Sequence, residues 1–193
     1  FGLLQRNTIL AHSNLISEQD MGLIKNAGAG IAHCPLSNIY FSHSVFPLRS
    51  ALDKGLRVGL GTDISGGPSP SIFENCRYAI SGSRMLENGV DPSKGPRDRG
   101  SPDSRIDFTE AFWLATAGGA EVLDIPVGRF EKGYKFDALL IDPHAPGTNI
   151  PSCPRESATE DLFQGIVYNC ARVNIRNVWV DGIARFPANN STG

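Results

Sequence analysis

Three side chains able to bind a metal or move a proton stand at the ends of three short apolar runs: Thr8-Ile9-Leu10-Ala11 leads to His12, Ile31-Ala32 to His33, and Val58-Gly59-Leu60-Gly61-Thr62 to Asp63. Gly66 and Gly67 follow the aspartate within a glycine-rich loop. A carboxylate at the C-terminal end of a buried strand is where α/β barrels keep catalytic and metal-binding groups. Near an apolar core its charge needs a partner: a metal ion, a histidine or a nest of backbone N–H groups. The competing reading of Asp63 alone is a helix N-cap, worth about 1 kcal/mol. His12 has its own alternative, a core histidine on a backbone carbonyl, and His33 another, a histidine that pins a loop. Three such ends in succession favour one constellation on one face.

The elements that must position these groups follow from the pattern. Ser17-Glu18-Gln19-Asp20 opens a helix with a capping-box signature, Met21, Leu23 and Ile24 give it an apolar side, and Ala27 to Gly30 ends it. Val45 to Lys54 reads as a second helix with Val45, Leu48 and Leu52 on one face, stopped by Gly55. Pro70 to Ser83 reads as a third. Repeated βα units predict a parallel sheet with right-handed crossovers. Residues 87–107 read as a long polar surface loop lying over the site. Asp107 to Asp124 predicts a helix broken at Gly118-Gly119 into two pieces meeting at a close contact, with Phe112 and Trp113 as core and Arg77 and Arg84 as surface charge. Beyond it, Phe136 to Asp142 predicts a strand, Leu162 to Tyr168 a helical stretch, and Val178 to Ala184 a hairpin turning at Asp181-Gly182, together a small β subdomain.

Composition bounds the functions. The chain has 193 residues, a net charge of -2, 40% hydrophobic and 20% charged residues, and no basic run. That favours one domain-sized core and argues against a nucleic-acid footprint. No apolar run is long enough for a transmembrane helix, and the first residues do not read as a secretory signal, so no membrane partner and a cytoplasmic location are expected. Cys34, Cys76, Cys153 and Cys170 form no close pair, which argues against a disulfide scaffold and a cysteine zinc site. Cys34 beside His33 is not a dyad, because neighbours on a strand face opposite ways.

His12, then His33-Cys34-Pro35-Leu36-Ser37-Asn38, then Gly59-Leu60-Gly61-Thr62-Asp63 with Gly66-Gly67, resemble the amidohydrolase superfamily, and its guanine deaminase branch in particular. Gly128-Arg129-Phe130-Glu131-Lys132-Gly133-Tyr134-Lys135-Phe136-Asp137 resembles the segment by which that branch returns to its small β-sandwich. The resemblance implies an α/β fold: strands six to eight of a (β/α)8 TIM barrel over residues 1–127, a β-sandwich segment with a crossing helix over 128–186, and a tail at 187–193. It implies hydrolytic deamination of guanine to xanthine and ammonia. Asp63 would bind one divalent ion, zinc, and accept the proton of the attacking water. His12 would orient that water, and His33 and Asn38 would line or support the substrate pocket. The family's remaining ligands, an HxH pair and a histidine followed three residues later by glutamate, are absent from this chain and are expected upstream of Phe1, in the N-terminal part of the barrel. Family members are commonly dimers, so a homodimer is expected on the same ground. The alternatives are the same chemistry on a cytosine, adenosine-like or triazine ring, or a metal-free truncated scaffold or interaction module.

Overall fold

A computed structural model describes residues 2–42, 44–152 and 159–186. His43, Cys153 and the expected tail at 187–193 lie outside the described residues. The chain divides into two compact units, Phe1–Ile125 and Pro126–Gly193.

The first unit is built on three parallel strands in the order β1 (Ile9–Ala11), β2 (Gly30–His33) and β3 (Arg57–Leu60). Ile31 and Val58 are fully buried in it. Hydrogen bonds from His12 N–H to the Ala32 carbonyl (3.0 Å) and from Gly61 N–H to the His33 carbonyl (2.8 Å) carry the ladder past the strands, bringing the three polar ends to one edge. Three strands do not close a barrel.

Helix α1 (Glu18–Ala27) begins with the expected capping box between Ser17 and Asp20 and ends at Gly28 in the left-handed conformation. It buries Met21 and Ile24, whereas Leu23, expected on the same side, is exposed. Met21 and Ile24 are one helical turn apart and Leu23 is not in phase with them. Helix α2 (Pro35–Ser42) has no counterpart in the periodicity, while α3 (Leu48–Asp53) is shorter than the expected Val45–Lys54. Pro47 explains the later start, since a proline disfavours helix in the residue before it. Helix α4 (Ile72–Asn88) is longer than expected, so Glu87 and Asn88 belong to it rather than to the loop. What remains of that loop is fastened to the C-terminal end of α4 and to α3. Ser101 N–H donates to the Leu86 carbonyl, Arg105 pairs with Glu87, and Arg49 Nε donates to the Arg105 carbonyl.

Helices α5 (Phe108–Trp113) and α6 (Gly119–Leu123) are joined without a break by a π-helical turn, Leu114–Gly118. The two glycines serve contact rather than interruption. A Cβ on Gly118 would lie 2.7 Å from the Val58 carbonyl oxygen, and one on Gly59 would lie 2.7 Å from Gly119 Cα. Only hydrogen fits where this helical run crosses β3. Ala111, Leu114 and Ala117 face the core, whereas Trp113 is 36% exposed and Phe112 half-buried, contrary to their expected core placement. Trp113 lays its ring beside Gly118 instead of entering the interior. Arg77, expected at the surface, is half-buried, and Arg84 is exposed.

The second unit holds an antiparallel sheet of β4 (Ala138–Ile141), β5 (Ile175–Val180) and β6 (Ile183–Phe186), with helix α7 (Thr159–Asn169) between β4 and β5 in sequence. Asp181 and Gly182 both take positive φ (53° and 75°), as a two-residue primed hairpin turn demands.

Candidate active site

The backbone leaves β1 and β3 sharply. His12 (φ 64°), Ser13 (φ 59°) and Asp63 (φ 52°) all adopt the left-handed conformation. This costs a non-glycine residue about 1–2 kcal/mol, with Asp among the more tolerant types. The strain aims both side chains out of the sheet edge into an open hollow of 540 Å³, lined by His12, Asn14, Leu15, Ser37, Asn38, Phe41 and Asp63. His12 Nε2 stands 3.8 Å from Asp63 Oδ2, and the two side chains are 42% and 36% exposed. Asp63 is not a helix cap, because Ser71 caps α4. Nor is His12 a core histidine resting on a carbonyl.

Around the carboxylate the fit is close. Ser37 Oγ donates to Asp63 Oδ2 at 2.6 Å, and Ser37 is buried. Gly67 N–H donates to the Asp63 backbone carbonyl, so the glycine-rich loop holds the main chain of Asp63 and not its carboxylate. A Cβ on Gly66 would come within 2.9 Å of Oδ2, and one on Gly67 would collide with the Thr62 carbonyl. Glycine is required here by close approach, at negative φ.

Asn38 joins the two histidines. His12 Nδ1 lies 2.8 Å from Asn38 Oδ1, and Asn38 Nδ2 lies 3.2 Å from His33 Nδ1. His33 is only 3% exposed, with its ring tilted on Phe46 at a centroid distance of 5.0 Å. Burial first, and the electrostatic influence of His12 second, push the His33 imidazole down to about 3, so it is neutral throughout the physiological range. It lies behind Asn38 and does not line the hollow, whereas Asn38 does.

Helix α2 supplies both Ser37 and Asn38. Pro35 occupies its first position, where a missing N–H and a fixed φ cost nothing, and the Cys34 carbonyl accepts from Asn38 N–H at 2.8 Å. That proline was the readable signal for a helix beginning inside the motif, and with it for Ser37 as a partner of Asp63. Cys34 is no nucleophile. Burial, reinforced by Asp63, pushes its thiol up to about 11, and Sγ turns back to the Ala32 carbonyl.

Tetrahedral zinc sites take three or four protein donors. Among the described residues no group of three or more His, Cys, Asp or Glu side chains converges. Asp63 can therefore furnish part of such a site, while the described residues do not bring together a whole one. No helix among the described residues is long and apolar enough to cross a membrane.

Residues 1–184 match the model of the amidohydrolase family. The chain is 34% identical over 186 residues to guanine deaminase of Dictyostelium discoideum, covering 94% of this chain and 38% of that protein. It is 33% identical over 195 residues to guanine deaminase of Mus musculus, covering 98% of this chain and 40% of that protein. The crystal structure of guanine deaminase from C. acetobutylicum with bound guanine superposes with a TM-score of 0.76 at 31% identity, over 95% of this chain and 40% of that one. The chain thus spans about two fifths of the length of these relatives. With its motifs on the strand ends of a mixed α/β fold and the family match running over nearly its whole length, the chain belongs to the amidohydrolase family.

Proposed function

We propose that this chain forms part of the active site of a guanine deaminase that hydrolyses guanine to xanthine and ammonia. The observation that carries the reading is the meeting of His12 Nε2 and Asp63 Oδ2 at the mouth of an open hollow, held 3.8 Å apart by strained strand ends. Relatives that bear the name guanine deaminase support the choice of ring.

On this reading β1, β2 and β3 are strands six, seven and eight of a (β/α)8 barrel, and the second unit belongs to the small β-sandwich. Asp63 supplies one ligand to a divalent metal, zinc, whose other ligands come from sequence before Phe1. Such an ion, when bound, lowers the pKa of a coordinated water from 15.7 towards about 7. Asp63 accepts the proton of the attacking water at its carboxylate, and Ser37 holds that carboxylate in place through Oδ2. His12 orients the water through Nε2 as the water attacks the amidine carbon. Asn38 supports His12 and borders the substrate, and His33 supports Asn38. Water adds at carbon, the amino group leaves as ammonia, and xanthine remains. One ligand does not hold zinc, so the chain by itself should show no deaminase activity.

The test is product formation by the natural-length protein. Xanthine and ammonia should form from guanine faster than ammonia forms from cytosine or 5-methylthioadenosine, and faster than chloride is released from a chlorinated triazine. Preference for another of these rings would move the assignment to it. No turnover of any, in a protein that elemental analysis finds free of metal, would favour a scaffold or interaction module.

A further inference from the structure

We propose that Asn38 is a positioning residue that fixes the tautomer of His12, with buried His33 as its anchor, so that His12 presents a bare Nε2 to the hollow. The inference rests on the functional reading above only for its effect on turnover; the tautomer itself follows from donor and acceptor accounting.

An amide has one end that only accepts and one that only donates. Asn38 Oδ1 faces His12 Nδ1 at 2.8 Å, so that nitrogen carries the hydrogen and donates. Asn38 Nδ2 faces His33 Nδ1 at 3.2 Å, so that nitrogen is bare and accepts. The two histidines are thereby set to opposite tautomers through one side chain: His12 is protonated on Nδ1 and His33 on Nε2. Reversing one reverses the other, because rotating the amide exchanges its two ends.

The anchor is firm. Asn38 and His33 are 2% and 3% exposed, so a broken hydrogen bond there is not replaced by bulk water. His33 is packed on Phe46, and its burial keeps it neutral, leaving Nδ1 able to accept. His12, by contrast, is 42% exposed and borders the hollow. At 3.8 Å its Nε2 does not hydrogen-bond to Asp63 Oδ2, which already accepts from Ser37. Nε2 is therefore left with a lone pair beside the carboxylate, where it can accept a hydrogen bond from a water or a substrate N–H. Coupling a reactive histidine to a fixed partner through its far nitrogen is how tautomer and ring orientation are set elsewhere.

The test is the ring-nitrogen spectrum of the natural-length holoprotein, labelled with ¹⁵N at histidine and assigned by substitution. The wild type should show His12 with its proton on Nδ1 and His33 with its proton on Nε2. Asn38→Asp, which can only accept, should leave His12 unchanged and move the His33 proton to Nδ1. Asn38→Leu should release His12 to a mixture of tautomers and lower kcat by about 10–100-fold. His12 carrying its proton on Nε2 in the wild type, or keeping one tautomer in Asn38→Leu, would overturn the proposal; the wild-type spectrum decides even if a variant fails to fold. The predicted tautomers in a protein that turns over no guanine would refute the deaminase reading and leave the Asn38 assignment standing.

Discussion

The two sheets of this protein are each three strands wide, and they treat polar side chains in opposite ways. In the antiparallel sheet of the second unit, exposed charges are closed on one another. Arg176 pairs with Asp142 at 2.7 Å, and Lys135 with Asp181 at 2.9 Å. In the parallel sheet of the first unit, His12 and Asp63 are pushed out of the strand ends by left-handed backbone and stop 3.8 Å apart. Their remaining partners come from one helix, α2, through Ser37 and Asn38. A matched pair turns its charges toward each other. A histidine and a carboxylate supported from behind and left unjoined in front keep hydrogen-bonding capacity for a ligand. Polar residues in the first sheet should therefore govern chemistry, and those in the second only local stability.

The largest effect that would sharpen this contrast belongs to Asp63. In the natural-length protein Asp63→Ala should abolish turnover and lower metal content, read by elemental analysis beside a rate assay. His12→Ala should cost about 10²–10⁴-fold in turnover with metal retained; loss of metal would make His12 a ligand in its own right.

The supporting group should speak through pH. The folded His33 stays uncharged down to about 3, while the unfolded chain takes up a proton near 6.5. Between these values the unfolded state binds the extra proton, so His33 makes stability fall as pH drops from 6.5 towards 3, by up to about 1.4 kcal/mol per pH unit. Above 6.5 neither state is charged and the effect is absent. Denaturant melts of His33→Gln across this range should show a flatter acid limb; an unchanged slope would contradict the buried neutral histidine.

Gly59→Ala should cost about 1–3 kcal/mol in denaturant unfolding, because the new methyl meets Gly119 backbone that cannot yield. The smallest effect belongs to the second sheet. Arg176 holds the Asp142 carboxyl below the usual carboxylate range, chiefly through their hydrogen bond. That contribution is present above the ordinary carboxylate pKa and disappears as pH falls through the lowered one. Arg176→Ala should therefore leave guanine turnover untouched and shift the melting curve only slightly at neutral pH, as exposed pairs do. A loss of turnover there would break the contrast between the sheets.

The parallel strands, their polar ends and the hairpin were legible because each rests on local chemistry: short apolar runs, a capping box at Ser17, and two turn residues at Asp181-Gly182 that accept positive φ. Helix α2 was hidden because its sequence was taken up by a motif, although Pro35 marked its start. Ser37 was missed with it, since a serine reveals its role only when the fold brings a carboxylate within 2.6 Å. Trp113 was misread because bulk suggests burial, while the face that meets β3 is chosen by how closely backbone can approach, and that favours Gly118 and Gly119. The division of labour between the two histidines was equally beyond local pattern. Both end a parallel strand, and only packing leaves one 42% exposed at the hollow and the other 3% exposed behind it.

The measurement that bears most directly on the central claim is the rate of xanthine formation from guanine by natural-length Asp63→Asn beside the wild type. The substitution keeps the side chain's shape and an oxygen for Ser37 to donate to, and removes only the charge and the basic site. The account predicts turnover in the wild type, background in the variant, and matching melting curves. A variant that forms xanthine at close to the wild-type rate would contradict it.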